Sequence, residues 1–137
     1  MPNMLWRYFL AKLKGIDKLR KRVEKIRRKL PYEVGPALYQ EALIEQKESM
    51  RRTPVDTGAL RASHETSQPK IFGITGGSVE VTISVGGASA PYALIVHEDP
   101  TAFHPVGQYK FLESTLRESA PHMLKRIGRR IHLNRVI

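Results

Sequence analysis

Residues 51–64 read RRTPVDTGALRASH, and the reading of this stretch decides how the chain folds on either side of it. Pro54 pushes residue 53 out of helical geometry, so a helix arriving from the N-terminal side must end there. Asp56-Thr57-Gly58 has the composition of a turn or a cap. Asp56 can accept hydrogen bonds from backbone amides two or three residues on, and Gly58 tolerates positive φ. Ala59 to Ser63 either forms a short helical turn or begins a strand. The segment reads as a hinge from a helix to a sheet.

Upstream, apolar residues recur every three or four positions at Leu5, Phe9, Leu13, Ile16, Leu19, Val23, Ile26 and Leu30. One apolar stripe on a helix over 4–30 follows, with Lys and Arg on the other faces. Gly15 weakens its middle by roughly 1 kcal/mol relative to alanine. Pro31 stops this helix or starts another. A second helix is predicted from about 34 to 52, with Pro36 in its first turn. Val34, Leu38, Ala42, Leu43 and Met50 are its expected core face, and Glu41, Glu45 and Glu48 its outer face.

Downstream lies strand territory. Lys70 to Thr75 reads as a weak strand, and Gly76-Gly77 suits a hairpin turn. Val79, Val81, Ile83 and Val85 alternate with Glu80, Thr82 and Ser84, so one sheet face is buried and one is polar. Residues 86–91 form a Gly- and Ala-rich loop. Tyr92 to His97 is expected as an apolar, central strand, and Asp99 to Gly107 as a loop. Gln108 to Arg130 reads as a final helix with Phe111, Leu112, Thr115, Leu116, Met123, Leu124, Ile127 and Ile131 inward and a break or kink at Pro121. The predicted class is α+β: N-terminal helices, a small antiparallel sheet and a C-terminal helix packed on the sheet. A basic helix over 1–30 precedes a core over 31–137, a single domain overall, as the 137 residues allow.

The net charge of +10 is unevenly distributed. Residues 7–29 hold eleven Lys/Arg against Asp17 and Glu24, residues 121–137 hold five basic residues and no acid, and the middle is mildly acidic. Such ends suit a polyanion or an acidic protein surface, or form a solvated helix face. Without cysteine, disulfides and thiolate metal sites are excluded, and a reducing compartment is natural. The longest apolar runs are too short to span a bilayer, and the first residues do not read as a signal peptide.

Catalytic spacings are weak throughout. His97, Glu98, Asp99 and His104 are the nearest approach to a metal cluster, but neighbours on a strand point to opposite faces. No His-Glu-x-x-His helix occurs, and the serines lack a Gly-x-Ser-x-Gly elbow. Gly73, Gly76 and Gly77 fit a hairpin better than a phosphate loop, since no Gly-Lys-Ser/Thr follows. The basic first helix allows non-specific, salt-sensitive duplex contact. The scattered aromatics offer no stacking platform, and no helix-turn-helix stands out.

Four stretches, in order, carry a resemblance. TPVDTGALRAS at 53–63, VEVTISVGG at 79–87, YALIVHE at 92–98 and GQYKFLESTLRE at 107–118 resemble the head–tail joining family of tailed bacteriophages, whose members are neck or tail-completion proteins. The resemblance covers roughly residues 30–120 and is carried by the order and spacing of the four motifs. The first helix is longer and more basic than the family's. The resemblance implies a small α+β virion subunit without catalysis, cofactor or metal, assembled in the host cytoplasm as a ring, usually a hexamer. Implied partners are a connector or head-closure protein and a tail-terminator or tail-tube protein, with DNA passing through the lumen and no membrane. It assigns architectural or interface roles to Asp56, Gly58, Leu60, Arg61, Tyr92, His97 and Glu98, with Tyr92, His97 and Glu98 ending a strand near the next subunit, where an ordinary polar strand end is the favoured reading of His97. Lys18, Arg22 and Lys25 are the expected partner- or DNA-facing cations. The alternative is a basic nucleic-acid-binding module acting as a monomer or dimer.

Overall fold

The computed structural model describes residues 4–73, 77–101 and 105–137, with side chains from residue 15 onward. The side chains of the stripe positions Leu5, Phe9 and Leu13 lie outside that description, as do the whole of the turn residue Gly76, of Ile74 and Thr75 in the first expected strand, and of His104. The chain is mixed α+β, as its pattern predicts, and mostly helical. Helix α1 spans Met4–Arg52 and α2 spans Ala59–Ala62. Strands β1 (Glu65–Thr66), β2 (Lys70–Phe72), β3 (Ser78–Glu80) and β4 (Ile83–Ser84) follow. Helices α3 (Ala93–Glu98) and α4 (Phe111–Arg130) and a short 3-10 turn at Leu133–Arg135 complete the order.

The two expected N-terminal helices are one. Pro31 and Pro36 lie inside α1, each removing a backbone donor and crowding the preceding turn. Packing overrides that cost from residue 31 onward, where Pro31, Gly35 and Ala37 are buried. A Cβ on Gly35 would come within 3.3 Å of the Pro69 side chain, so glycine here lets the strands approach the helix backbone. Pro121 likewise does not end α4. It lies on the exposed face, where water can reach the Arg117 carbonyl it leaves unbonded.

Where a single sheet was expected, the strands form two small antiparallel sheets, β1 with β4 and β2 with β3, that follow one another along a bent hairpin. Glu65 pairs with Ser84 and Thr66 with Ile83 at its open end. Lys70 pairs with Glu80, Ile71 with Val79 and Phe72 with Ser78 at its closed end. The register slips by one between the two halves, so Gln68 and Pro69 together oppose Val81. This is a bulge with proline at the position that cannot donate to a ladder. Ser67 bridges the break, its amide donating to the Thr82 carbonyl at 2.8 Å and its hydroxyl accepting from the Thr82 amide at 2.9 Å. The period-two reading holds across both halves: Val79, Val81, Ile83 and Val85 are half-buried, while Glu80, Thr82 and Ser84 are exposed.

The expected central strand at Tyr92–His97 is instead helix α3. Ala93, Val96 and His97 face inward while Leu94 and Ile95 stand in solvent, an i, i+3, i+4 pattern rather than an alternation. A short apolar run without a turn signal does not distinguish the two by periodicity. The core gathers Leu60, Ala90, Ala93 and Phe111, with Val85, Val96 and Leu112 packed around them. Helix α4 runs along α1, and its Leu116 and Met123 share a shallow groove with Val81 and Ile83 of the hairpin. Leu124, expected inward, is exposed.

Candidate assembly surface

The opening segment holds its shape through backbone geometry. Thr53 closes α1, its hydroxyl donating to the Ser49 carbonyl at 2.7 Å. Gly58 adopts φ +85° and heads α2, and its carbonyl accepts the first helical bond from the Ala62 amide at 3.0 Å. A Cβ here would meet nothing, so glycine is required by its φ alone. The side-chain acceptor in this turn is Thr57, which receives the Ala59 amide at 3.3 Å; Asp56, expected in that role, is exposed. Leu60 enters the core. Arg61, considered for a salt bridge, donates instead to the Thr53 carbonyl at 3.3 Å. Its Nε is buried without a partner.

Asp56, Gly58, Leu60 and Tyr92 converge on one open depression of about 520 Å3, together with Pro54, Val96 and Val106. His97 and Glu98 belong to a different cluster. On helix α3, unlike on the expected strand, the two side chains meet, with His97 Nδ1 donating to Glu98 Oε1 at 2.7 Å. The His97 ring packs edge-on against Phe111 with centroids 4.9 Å apart, so its place is beside the core rather than at a strand end.

Lys110 ties this cluster to α4. Its ammonium lies 2.5 Å from Glu98 and 2.9 Å from Glu113. Lys110 itself is in the left-handed region at φ 54°, an uncommon position for a side-chain-bearing residue. The Lys110 hydrogen bond, followed by that of His97, holds the Glu98 carboxyl below its usual range, and Lys110 does the same for Glu113. Hydrogen bonds to Glu98 and then Glu113 raise the Lys110 ammonium. Among the described residues no group of three His, Cys, Asp or Glu side chains is arranged to hold a metal.

Two clusters have no counterpart in the sequence reading. Glu41 and Glu45, expected on the outer face of their helix, are 1% and 3% exposed. Arg126 reaches Glu41 Oε1 at 2.5 Å, Glu45 Oε1 at 3.0 Å and Ser119 Oγ at 2.6 Å, and Arg130 reaches Glu41 Oε2 at 2.6 Å. Burial pushes the Glu41 carboxyl up, but the hydrogen bonds and charges of Arg126 and Arg130 outweigh it and the net direction is down. The available signal was a matched spacing: two glutamates four apart on one helix and two arginines four apart on another. Leu43 and Ile44 take the exposed positions that the glutamates vacate.

The second cluster is Ser49, Thr53 and His64. Ser49 Oγ lies 2.9 Å from His64 Nε2, and His64 Nδ1 lies 3.0 Å from the Arg61 carbonyl. Nδ1 therefore donates to the carbonyl and Nε2 accepts from the serine hydroxyl. This has the pairing of a nucleophile and its base. Ser49 is fully buried, however, and burial pushes the His64 imidazole below its ordinary value. The pair pins the end of α1 to the turn before β1.

Lys18, Arg22 and Lys25 lie on the part of α1 that precedes the core. From residue 15 to 29 every side chain except Ile26 is exposed, so this half of the helix stands in solvent on all faces. No helix among the described residues is long and apolar enough to cross a membrane. In comparison with known proteins, the chain matches no family model, no curated protein and no solved structure.

Proposed function

We propose that the chain is a structural subunit of a tailed-bacteriophage virion, a neck or tail-completion protein that assembles as a ring between the head connector and the tail. One observation carries this reading. The four motifs that resemble the head–tail joining family meet in a single core, with Leu60 from the first, Val85 from the second, Ala93 and Val96 from the third, and Phe111 and Leu112 from the fourth. Motifs whose apolar residues serve to build one core suit a structural subunit, and the reading assigns the chain no catalysis. A ring needs a heterologous interface that closes by rotation. The exposed Leu94 and Ile95 of α3 are candidates for one side of it.

The basic half of α1 contacts a neighbouring ring or the DNA path in this reading. Reversing the charges of Lys18, Arg22 and Lys25 blocks head–tail joining and leaves the fold intact, because these side chains are exposed. Normal infectious particles from that variant would falsify the assignment. The same exposed cations favour a second reading, a nucleic-acid-binding module. That reading requires a monomer or dimer that shifts onto duplex DNA and is released steeply by salt. Light scattering at low and high salt, with and without DNA, separates the two.

A further inference from the structure

Residues 16–30 of α1 carry an apolar seam that is exposed over its first three positions and half-buried at Ile26 and Leu30. Ile16, Leu19 and Val23 are 55, 62 and 51% exposed. With Ile26 and Leu30 they follow one another at intervals of three, four, three and four residues. That is the a/d repeat of a coiled coil, with Ile16, Val23 and Leu30 at a and Leu19 and Ile26 at d. No other apolar residue occurs between 16 and 30, and the positions flanking the seam, Arg20, Arg22, Arg27 and Lys29, are all cationic.

We infer that this segment docks as one strand of a heterotypic coiled coil, against an amphipathic helix of another protein with apolar a and d positions and Asp or Glu beside them. Four alternatives fail and leave this occupant. A second copy is disfavoured, since parallel pairing sets Arg22 against Arg27 of its twin, and antiparallel pairing also sets cation against cation. Nor does another helix of a second copy supply the acids. Among the described residues, every helical glutamate beyond residue 30 is already ion-paired: Glu33 with Arg135, Glu41 and Glu45 with Arg126, Glu48 with Arg52, Glu98 and Glu113 with Lys110, and Glu118 with Arg52. A lipid surface takes a broad apolar face, whereas this stripe is confined to a and d. Duplex DNA would use the cations and leave the seam in water. The inference stands without the virion reading and states the chemistry of the protein that meets this helix.

The test uses the full chain and a labelled synthetic peptide of about four heptads, with Ile at a, Leu at d and Glu at e and g. Fluorescence anisotropy is expected to report binding that weakens more than about tenfold in Leu19→Ser/Ile26→Ser, which keeps every charge. Leu19 is exposed and Ile26 half-buried, so circular dichroism checks that the fold is retained. A second variant, Arg22→Glu/Arg27→Glu, should exchange the preference, losing the Glu peptide and gaining one with Lys at e and g. Equal binding to a peptide of the same composition with its apolar residues scrambled would overturn the inference, as would full affinity in the serine variant. So would a wild-type dimer that the serine variant abolishes, or seam-dependent binding to anionic vesicles with none to the Glu peptide.

Discussion

Replacing Arg126 with methionine removes a guanidinium that serves Glu41, Glu45 and Ser119 together. Methionine keeps most of the apolar stem, so the change is chiefly one of charge. Glu41 retains Arg130, but Glu45 retains only the Ser119 hydroxyl. Removing one partner of a buried pair costs about 3–5 kcal/mol, because it strands the other charge away from water. The Arg126 and Arg130 side chains are 32 and 26% exposed, so solvent already screens the cationic side and the lower end applies, about 3 kcal/mol. The converse substitution, Glu45→Gln, deletes the buried charge and leaves guanidinium groups that keep Glu41 and water. Its expected cost is about 1 kcal/mol. The asymmetry between the two variants is the signature of burial on the acidic side.

The pH dependence follows from the same geometry. In the wild type the folded Glu41 carboxyl lies below its unfolded value, so its contribution is present above that value and lost as pH falls through the folded one. In Arg126→Met, burial is opposed by Arg130 alone and the carboxyl moves up. A raised carboxyl destabilises at neutral pH and is relieved as pH falls. The difference between variant and wild type is therefore largest near neutrality and shrinks toward the carboxylate range. Urea unfolding followed by circular dichroism reads this as a shift in midpoint at unchanged slope. A loss under about 1 kcal/mol, the range of exposed pairs, would refute the reasoning. So would a loss that stays constant from neutral pH down to the carboxylate range.

Other substitutions test the rest of the fold. Gly107→Ala should destabilise more than Gly58→Ala in the same urea assay. Both glycines have positive φ, but a Cβ on Gly107 would lie 2.5 Å from the Pro54 nitrogen and 2.7 Å from the Arg52 carbonyl oxygen, which accepts the Gln108 amide. About 1 kcal/mol is expected at Gly58 and about 2–3 kcal/mol at Gly107. Burial holds the His64 imidazole below its ordinary value, so the unfolded chain takes up the proton first. Stability is then full above that value and declines as pH falls below it, and His64→Gln should flatten this part of a stability–pH curve. Phe111 lies between the rings of His64 and His97, at 5.9 and 4.9 Å. Phe111→Ala should cost about 3–5 kcal/mol and Phe111→Leu under about 1.5 kcal/mol; equal losses would show that the site is not packed.

Local rules in the sequence were enough for the parts of the fold that depend on neighbours in the chain. Pro54 ends α1 at Arg52 because of a clash with the residue before it, and Gly58 turns where only a residue without Cβ is unstrained. The alternation from Val79 to Val85 appears as alternating burial even though the strand is divided between β3 and β4. The motif residues Leu60, Val85, Val96 and Phe111 meet in the core, but their adjacency is a long-range property that spacing alone does not contain.

Tertiary structure decided three matters. Pro31 and Pro36 were tolerated within one helix because the hairpin and α4 pack along it, a compensation that no local propensity includes. YALIVHE became a helix because its inward positions had to meet Phe111 on one side only. Glu41 and Glu45 turned inward, and Leu43 and Ile44 outward, because α4 brings two arginines to that face. A helical period identifies the faces of α1, but which face is buried depends on the charge of the element that covers it, and that element lies about eighty residues further along the chain.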